Sequence, residues 1–187
     1  MFKKFILIIV GCLMAFNVCG QESGDVFLGG TVDFGYSKFA SKFKTENGDW
    51  KKNDPNSDSN LNLSIEIGYM RDNSAIGVSL YVGAKDGQRT GIAVTLFEEW
   101  YYKICENFYY TPRVDAGYLN LLTFDETYMN GPILNISVCG FMYKISNTFM
   151  IRTDVLNGYG YLLDKDDISI TSYGFNLTPS VTFRWAF

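Results

Sequence analysis

The chain has 187 residues and a formal charge of −4, enough for one domain with a sizeable core, and no Pro/Ser-rich or charge-run linker divides it. It contains no histidine, which removes Ser-His-Asp, Cys-His and His-metal chemistry together. An acidic chain without a basic stripe also argues against nucleic acid as a partner.

Residues 1–20 read as a signal peptide. Lys3 and Lys4 make a basic start, Phe5 to Phe16 is apolar, and Val18-Cys19-Gly20 offers small residues for cleavage before Gln21. The apolar run breaks at Asn17, short of the roughly 20 residues a membrane helix needs. Ile9-Val10-Gly11-Cys12 loosely resembles a lipobox, so a lipoprotein leader stands as the alternative. Cleavage takes Lys3 and Lys4 and moves the charge from −4 to −6; it also takes Cys12 and Cys19, two of the four cysteines. The remaining Cys105 and Cys139 are not a disulfide framework, and no structural bridge is expected. Residues 21–187 then form a single domain.

After Gln21 no apolar run is long enough for a membrane helix, and the apolar residues fall instead in period two, the mark of a strand with two unlike faces. Val26, Leu28, Val32, Phe34 and Tyr36 oppose Thr31, Asp33, Gly35 and Ser37. Leu61, Leu63, Ile65, Ile67 and Tyr69 oppose Asn62, Ser64, Glu66 and Gly68. Ile76, Val78, Leu80 and Val82 oppose Gly77, Ser79 and Gly83, with Tyr81 the one large residue on that side. Ile92, Val94 and Leu96 oppose Ala93 and Thr95, and Tyr110, Val114, Ala116 and Tyr118 oppose Thr111, Arg113, Asp115 and Gly117. Leu134, Ile136, Val138 and Met142 oppose Asn135, Ser137 and Cys139; Phe149, Ile151 and Val155 oppose Arg152 and Asp154. The last segment sets Phe175, Leu177, Pro179, Val181, Phe183, Trp185 and Phe187 against Asn176, Thr178, Ser180, Thr182, Arg184 and Ala186. Eight strands result. Pro112 and Pro179 cannot donate ladder bonds, so bulges or gaps are expected there, and Asn157 on the apolar side suggests a strand leaving the membrane.

Connections alternate in length. Asp72-Asn73-Ser74, Cys105-Glu106-Asn107 and Ser146-Asn147-Thr148 are tight turns, whereas Lys38 to Asn60, Lys85 to Thr90, Asn120 to Asn130 and Leu163 to Thr171 are longer polar links. Short turns at one end and long loops at the other characterise outer-membrane barrels, with turns toward the periplasm. The expected fold is all-β, an eight-stranded antiparallel up-and-down transmembrane β-barrel. A soluble lipocalin-like binding barrel also alternates, but with its apolar parity inward. The Gly, Ser, Thr, Ala and Asn of the polar parity suit a cramped interior better than a solvated surface. Aromatics gather at strand ends: Tyr69, Trp100, Tyr101, Tyr102, Phe108, Tyr110, Tyr143, Phe149 and Trp185 near the short turns, and Tyr36, Tyr118, Tyr159 and Phe175 near the long links, as interfacial girdles do.

The end Val181-Thr182-Phe183-Arg184-Trp185-Ala186-Phe187 resembles the C-terminal signal of outer-membrane barrels, and the resemblance assigns Phe183, Trp185 and Phe187 to recognition by the barrel-assembly machinery. Across nearly the whole mature chain the pattern resembles the small OmpA/OmpX-like outer-membrane β-barrel domains, with Gly68-Tyr69-Met70-Arg71-Asp72-Asn73-Ser74-Ala75-Ile76-Gly77 similar to their strand-turn-strand and Phe97-Glu98-Glu99-Trp100-Tyr101-Tyr102 to their aromatic fourth strand. That fourth strand usually carries Arg or another residue where Glu99 stands. The resemblance implies the outer membrane of a Gram-negative bacterium as location.

The polar parity carries Asp33, Glu66, Glu99, Arg113, Asp115, Arg152, Asp154 and Arg184. In so narrow a barrel they would meet in an interior that side chains can fill, and Arg alternates with acid rather than forming a one-signed ring. An ion-paired plug is therefore expected over a pore, a proton path or a carboxylate catalytic pair. Glu98 falls on the lipid parity, where a bulge or an interfacial depth would relieve it. Asp125, Glu126, Asp164, Asp166 and Asp167 make two links acidic beside Lys165, and Trp50 among Asp49, Lys51, Lys52 and Asp54 marks the longest link as a contact surface. The expectation is a non-enzymatic, monomeric barrel with a structural or surface-interaction role. It has no catalytic residue, cofactor or metal, and its partners are outer-membrane lipid, the assembly machinery and an unnamed loop ligand. A lipid-modifying membrane enzyme is the competing class; without histidine its serine would need Glu, Asp or Lys as base.

Overall fold

The computed structural model describes residues 24–44, 50–52, 56–85, 88–122, 128–165 and 168–187. The leader therefore lies outside the described residues, as do Asp49, Asp54, Asp125, Glu126, Asp166 and Asp167. Twelve strand segments follow in order: β1 (Val26–Lys44), β2 (Trp50–Lys52), β3 (Asn56–Met70), β4 (Ser74–Lys85), β5 (Gln88–Trp100), β6 (Tyr102–Cys105), β7 (Phe108–Tyr110), β8 (Arg113–Leu122), β9 (Tyr128–Ser137), β10 (Gly140–Lys144), β11 (Phe149–Lys165) and β12 (Ile168–Ala186). Eight of them make the wall, in the antiparallel order β1-β3-β4-β5-β8-β9-β11-β12, and β12 pairs with β1 to close it. The closing seam runs from Phe27 opposite Ala186 to Lys44 opposite Ser169, so neither terminal strand leaves an open edge. The short segments β6, β7 and β10 prolong the wall at the short-turn end.

The faces are inside out relative to a soluble barrel. Leu96 is 68% exposed and Ile65 55%, whereas Arg184 and Glu99 are fully buried. A lipocalin-like arrangement would show the reverse, and the outward Leu, Ile and Val band is one that only hydrocarbon covers without cost.

The tight turns fall between β3 and β4, between β6 and β7 and between β10 and β11. At the second, Asn107 takes the left-handed conformation (φ 63°), which its short amide side chain tolerates. In the third, the Ser146 hydroxyl accepts the Phe149 amide proton at 3.0 Å and ties down a turn that would otherwise leave that donor to water.

Three expectations from the sequence change. The long links are mostly strand: β1 reaches Lys44 and β3 resumes at Asn56, while β11 reaches Lys165 and β12 resumes at Ile168. Backbone pairing continues past the end of the apolar alternation, because a ladder needs only a partner strand. With 19 residues in β1 and β12 and 17 in β11, against the roughly 9–11 that cross a bilayer, these neighbours project beyond the membrane band at the hairpin end. Second, the chain bends at Val138–Cys139 between β9 and β10, and inward parity passes from Ser137 to Gly140, so Met142 points inward and is 1% exposed. Third, the register slips between Asp154 and Leu156, where β12 carries an extra residue beside Pro179. That slip sets Asn157 opposite the inward Ser137, so it joins the interior parity and not the lipid face. Pro112 sits in the break between β7 and β8, where Thr111 and Pro112 have no ladder assignment.

Candidate functional site

The barrel interior is built in three layers. At the short-turn end Phe27, Ala75, Phe97, Met142, Met150 and Ala186 form an apolar layer, with Met70, Tyr101 and Tyr109 packed on it. At the hairpin end Ala93, Leu119, Met129 and Leu163 form a second, with Tyr81 and Tyr161 against it. Between them lies a charged layer.

Seven charges there make one alternating chain: Asp115, Arg113, Glu66, Arg184, Glu99, Arg152, Asp154. Arg113 on β8 donates from Nε to Asp115 Oδ2 at 2.9 Å and from Nη1 to Glu66 Oε2 at 2.5 Å. Arg184 on β12 donates from Nε to the other Glu66 oxygen at 2.6 Å, and its two Nη atoms reach the two oxygens of Glu99 at 2.6 and 3.0 Å. Arg152 on β11 closes on Glu99 Oε2 with Nε at 2.6 Å, an ion contact outside hydrogen-bond direction, and donates from Nη1 and Nη2 to Asp154. Every arginine lies between two carboxylates, and each acid within the chain between two arginines. Such planar, forked pairing suits guanidinium and not ammonium, in keeping with the three arginines of this layer.

Neutral groups complete the shell. Tyr81 and Thr95 donate to Asp115 Oδ1 at 3.0 and 3.3 Å, Ser79 accepts from Arg113 at 2.7 Å, and Ser137 and Ser180 donate to Asp154. Below, the Arg113 guanidinium lies 3.9 Å from the centre of the Phe97 ring and Arg184 4.7 Å from that of Phe27, so each cation rests on a π face. These two rings point inward on the polar parity, and sequence reasoning passed them over. Gly68 and Gly77, paired across β3 and β4, leave them room: a Cβ on Gly68 would sit 2.4 Å from Phe27 and one on Gly77 2.6 Å from Phe97.

Asp33 stands apart from the seven. It is half-buried, accepts from Asn62 Nδ2 at 3.5 Å, and its Oδ1 has no hydrogen-bond partner among the described residues. Tyr101 also departs from expectation: it turns inward with Tyr109 and receives a contact from Arg184 at 3.5 Å instead of joining the outer girdle. The outer aromatic band at this end is made by Tyr102, Phe108, Tyr110, Phe141, Phe149, Phe183 and Trp185, in ring contacts between 5.1 and 6.3 Å. Phe187, 58% exposed, extends it, and its amide donates to Val26 O at 2.8 Å across the closing seam. Glu98 keeps the outward parity with no bulge beside it, opposite Ile76 and Val114. Cys105 is exposed and Cys139 half-buried, and both are free. Among the described residues no group of three or more Cys, Asp or Glu could hold a metal ion.

No protein-family model matches the chain, and no curated protein matches it by sequence. Solved structures do. Neisserial surface protein A is 10% identical over 87% of this chain and 97% of its own, with a TM-score of 0.53. The outer membrane protein OprG from Pseudomonas aeruginosa is 12% identical over 90% and 98%, with a TM-score of 0.51. At such identities the likeness is one of fold, and it spans nearly the full length of both barrels. The chain therefore has the fold of the small OmpA/OmpX-like outer-membrane β-barrels.

Proposed function

We propose that the chain is a non-enzymatic barrel of the Gram-negative outer membrane that acts through the strand hairpins it projects outward, with an interior closed to ions. The observation that carries this reading is the filling of the interior. Glu66, Glu99, Arg113, Arg152 and Arg184 are each 4% exposed or less and bonded to one another, with an apolar layer above and below. Acids so engaged by arginine are poor general bases, and a guanidinium flanked by two carboxylates has its charge already compensated, which makes it a poor site for an anion.

The projecting segments of β1, β11 and β12 supply the contact surface, and Trp50, Lys51 and Lys52 on β2 pair onto β1 at its tip. Outer-membrane lipid surrounds the wall, the assembly machinery reads Phe183, Trp185 and Phe187, and the barrel works as a monomer. Planar-bilayer recording tests the closed interior: the expected result is no steady current, and a large stable conductance overturns it. Lipid profiling of cells lacking the chain tests the non-enzymatic reading. One missing lipid species, restored by wild type and not by a carboxylate substitution, would establish the enzyme instead.

A further inference from the structure

The outer wall is uneven at the short-turn end. Aromatic rings contact one another from β6 to β10 and again across β11 and β12, but across β3, β4 and β5 the wall carries a shallow apolar groove of ≈ 790 Å³. Ile67, Val78, Leu96 and Val114 line it, and Tyr69 and Trp100 flank its end. Its floor at the facing Gly68 and Gly77 is bare backbone, backed from inside by the Phe97 ring. One charge stands in it. Glu98 faces outward between Leu96 and Trp100 along its strand and between Ile76 and Val114 across it. Among the described residues Glu98 has no ion-pair partner.

An unpaired carboxylate on a hydrocarbon-facing wall is penalised unless its environment supplies a cation. With the barrel in a membrane, as proposed above, the molecules in contact with this groove are lipids. We propose that the groove binds a phospholipid with a primary ammonium headgroup: an acyl chain lies along Leu96 and Val78 and the ammonium donates to Glu98. Apolar groove and carboxylate then match acyl chain and ammonium in kind and in charge. A zwitterionic phosphatidylethanolamine satisfies both. A phosphatidylglycerol lacks the cation, and a phosphatidylcholine keeps the charge but has no N–H to donate.

The test uses full-length protein purified from membranes in mild detergent, with native mass spectrometry after equal additions of phosphatidylethanolamine, phosphatidylglycerol or phosphatidylcholine. Retention of the folded barrel form, read as different gel mobility before and after boiling, is scored first, so failure of the membrane reading is seen separately. Wild type is expected to retain phosphatidylethanolamine about tenfold better than the other two, the ratio one charge-assisted hydrogen bond supplies. Glu98→Gln should lose that preference while keeping the folded form. Equal retention of the three lipids by wild type overturns the proposal without needing any variant. So does an unchanged preference in a folded Glu98→Gln, or a Glu98-dependent dimer occupying the groove in place of lipid.

Discussion

Replacing Arg184 by methionine removes the central link of the interior chain. The guanidinium is fully buried and donates three bonds of 2.6 to 3.0 Å to Glu66 and Glu99. Without it Glu99 keeps only Arg152 and Glu66 only Arg113, and two carboxylates that shared three cations share two. Breaking a buried pair by removing one partner costs about 3–5 kcal/mol, because the acid left behind is neither solvated nor compensated. Arg184→Met should therefore lose stability in that range, and Arg184→Lys less, about 1–3 kcal/mol, since an ammonium keeps the charge but not the fork. Urea unfolding in detergent micelles, followed by tryptophan fluorescence and by the gel shift on boiling, measures both. A double-mutant cycle with Glu99→Gln gives the coupling directly. Because the carboxylate stranded by the first change is neutralised by the second, the double variant should be more stable than the sum of the singles by about 1 kcal/mol or more. A loss below about 1 kcal/mol for Arg184→Met, or strict additivity in the cycle, would refute the argument that paired charges hold this interior together.

Deleting Phe187 should reduce outer-membrane yield in cells far more than refolding in detergent, since its exposed ring and single amide bond to Val26 add little to the finished barrel; equal losses in both assays would assign it to packing instead. Gly77→Val should abolish the folded gel form, because its Cβ would lie 2.2 Å from the Ile67 carbonyl oxygen and 2.6 Å from Phe97, and neither the backbone nor a ring stacked under Arg113 can withdraw. A normal yield of folded Gly77→Val would show that the wall there is looser than described.

Period-two patterning exposed most of the fold to sequence reading, because in a one-layer wall the facing of a residue is nearly all that burial depends on. It failed where parity itself changes. Nothing in Val138-Cys139 or Asp154-Val155-Leu156 marks the change of parity, and so period two puts Met142 and Asn157 on the wrong side. The hairpin ends escape period two as well, since strand pairing there outlasts the apolar alternation. The partners within the charged layer were beyond parity altogether: Glu66 and Arg184 are 118 positions apart and meet only because β12 returns to β1. One signal was available. Arg113-Val114-Asp115 and Arg152-Thr153-Asp154 repeat an acid two residues after an arginine, which places both on one face of a strand within bonding reach. Phe27 and Phe97 were overlooked because an aromatic on a polar face has no periodic signature; the facing glycines that make room for them are the only trace in the sequence.

Closure of β12 on β1 underlies every other statement about this interior, and cysteine crosslinking tests it directly. In a background with Cys105→Ser and Cys139→Ser, Leu28→Cys with Trp185→Cys places two thiols at paired outward positions across the seam, and Ile67→Cys with Val78→Cys does so within the β3–β4 hairpin. Mild oxidation of membranes should crosslink both pairs, and the seam pair should give a covalently circular product whose gel mobility after boiling returns to that of the open chain only on reduction. Crosslinking of the hairpin pair without the seam pair would contradict the closed barrel.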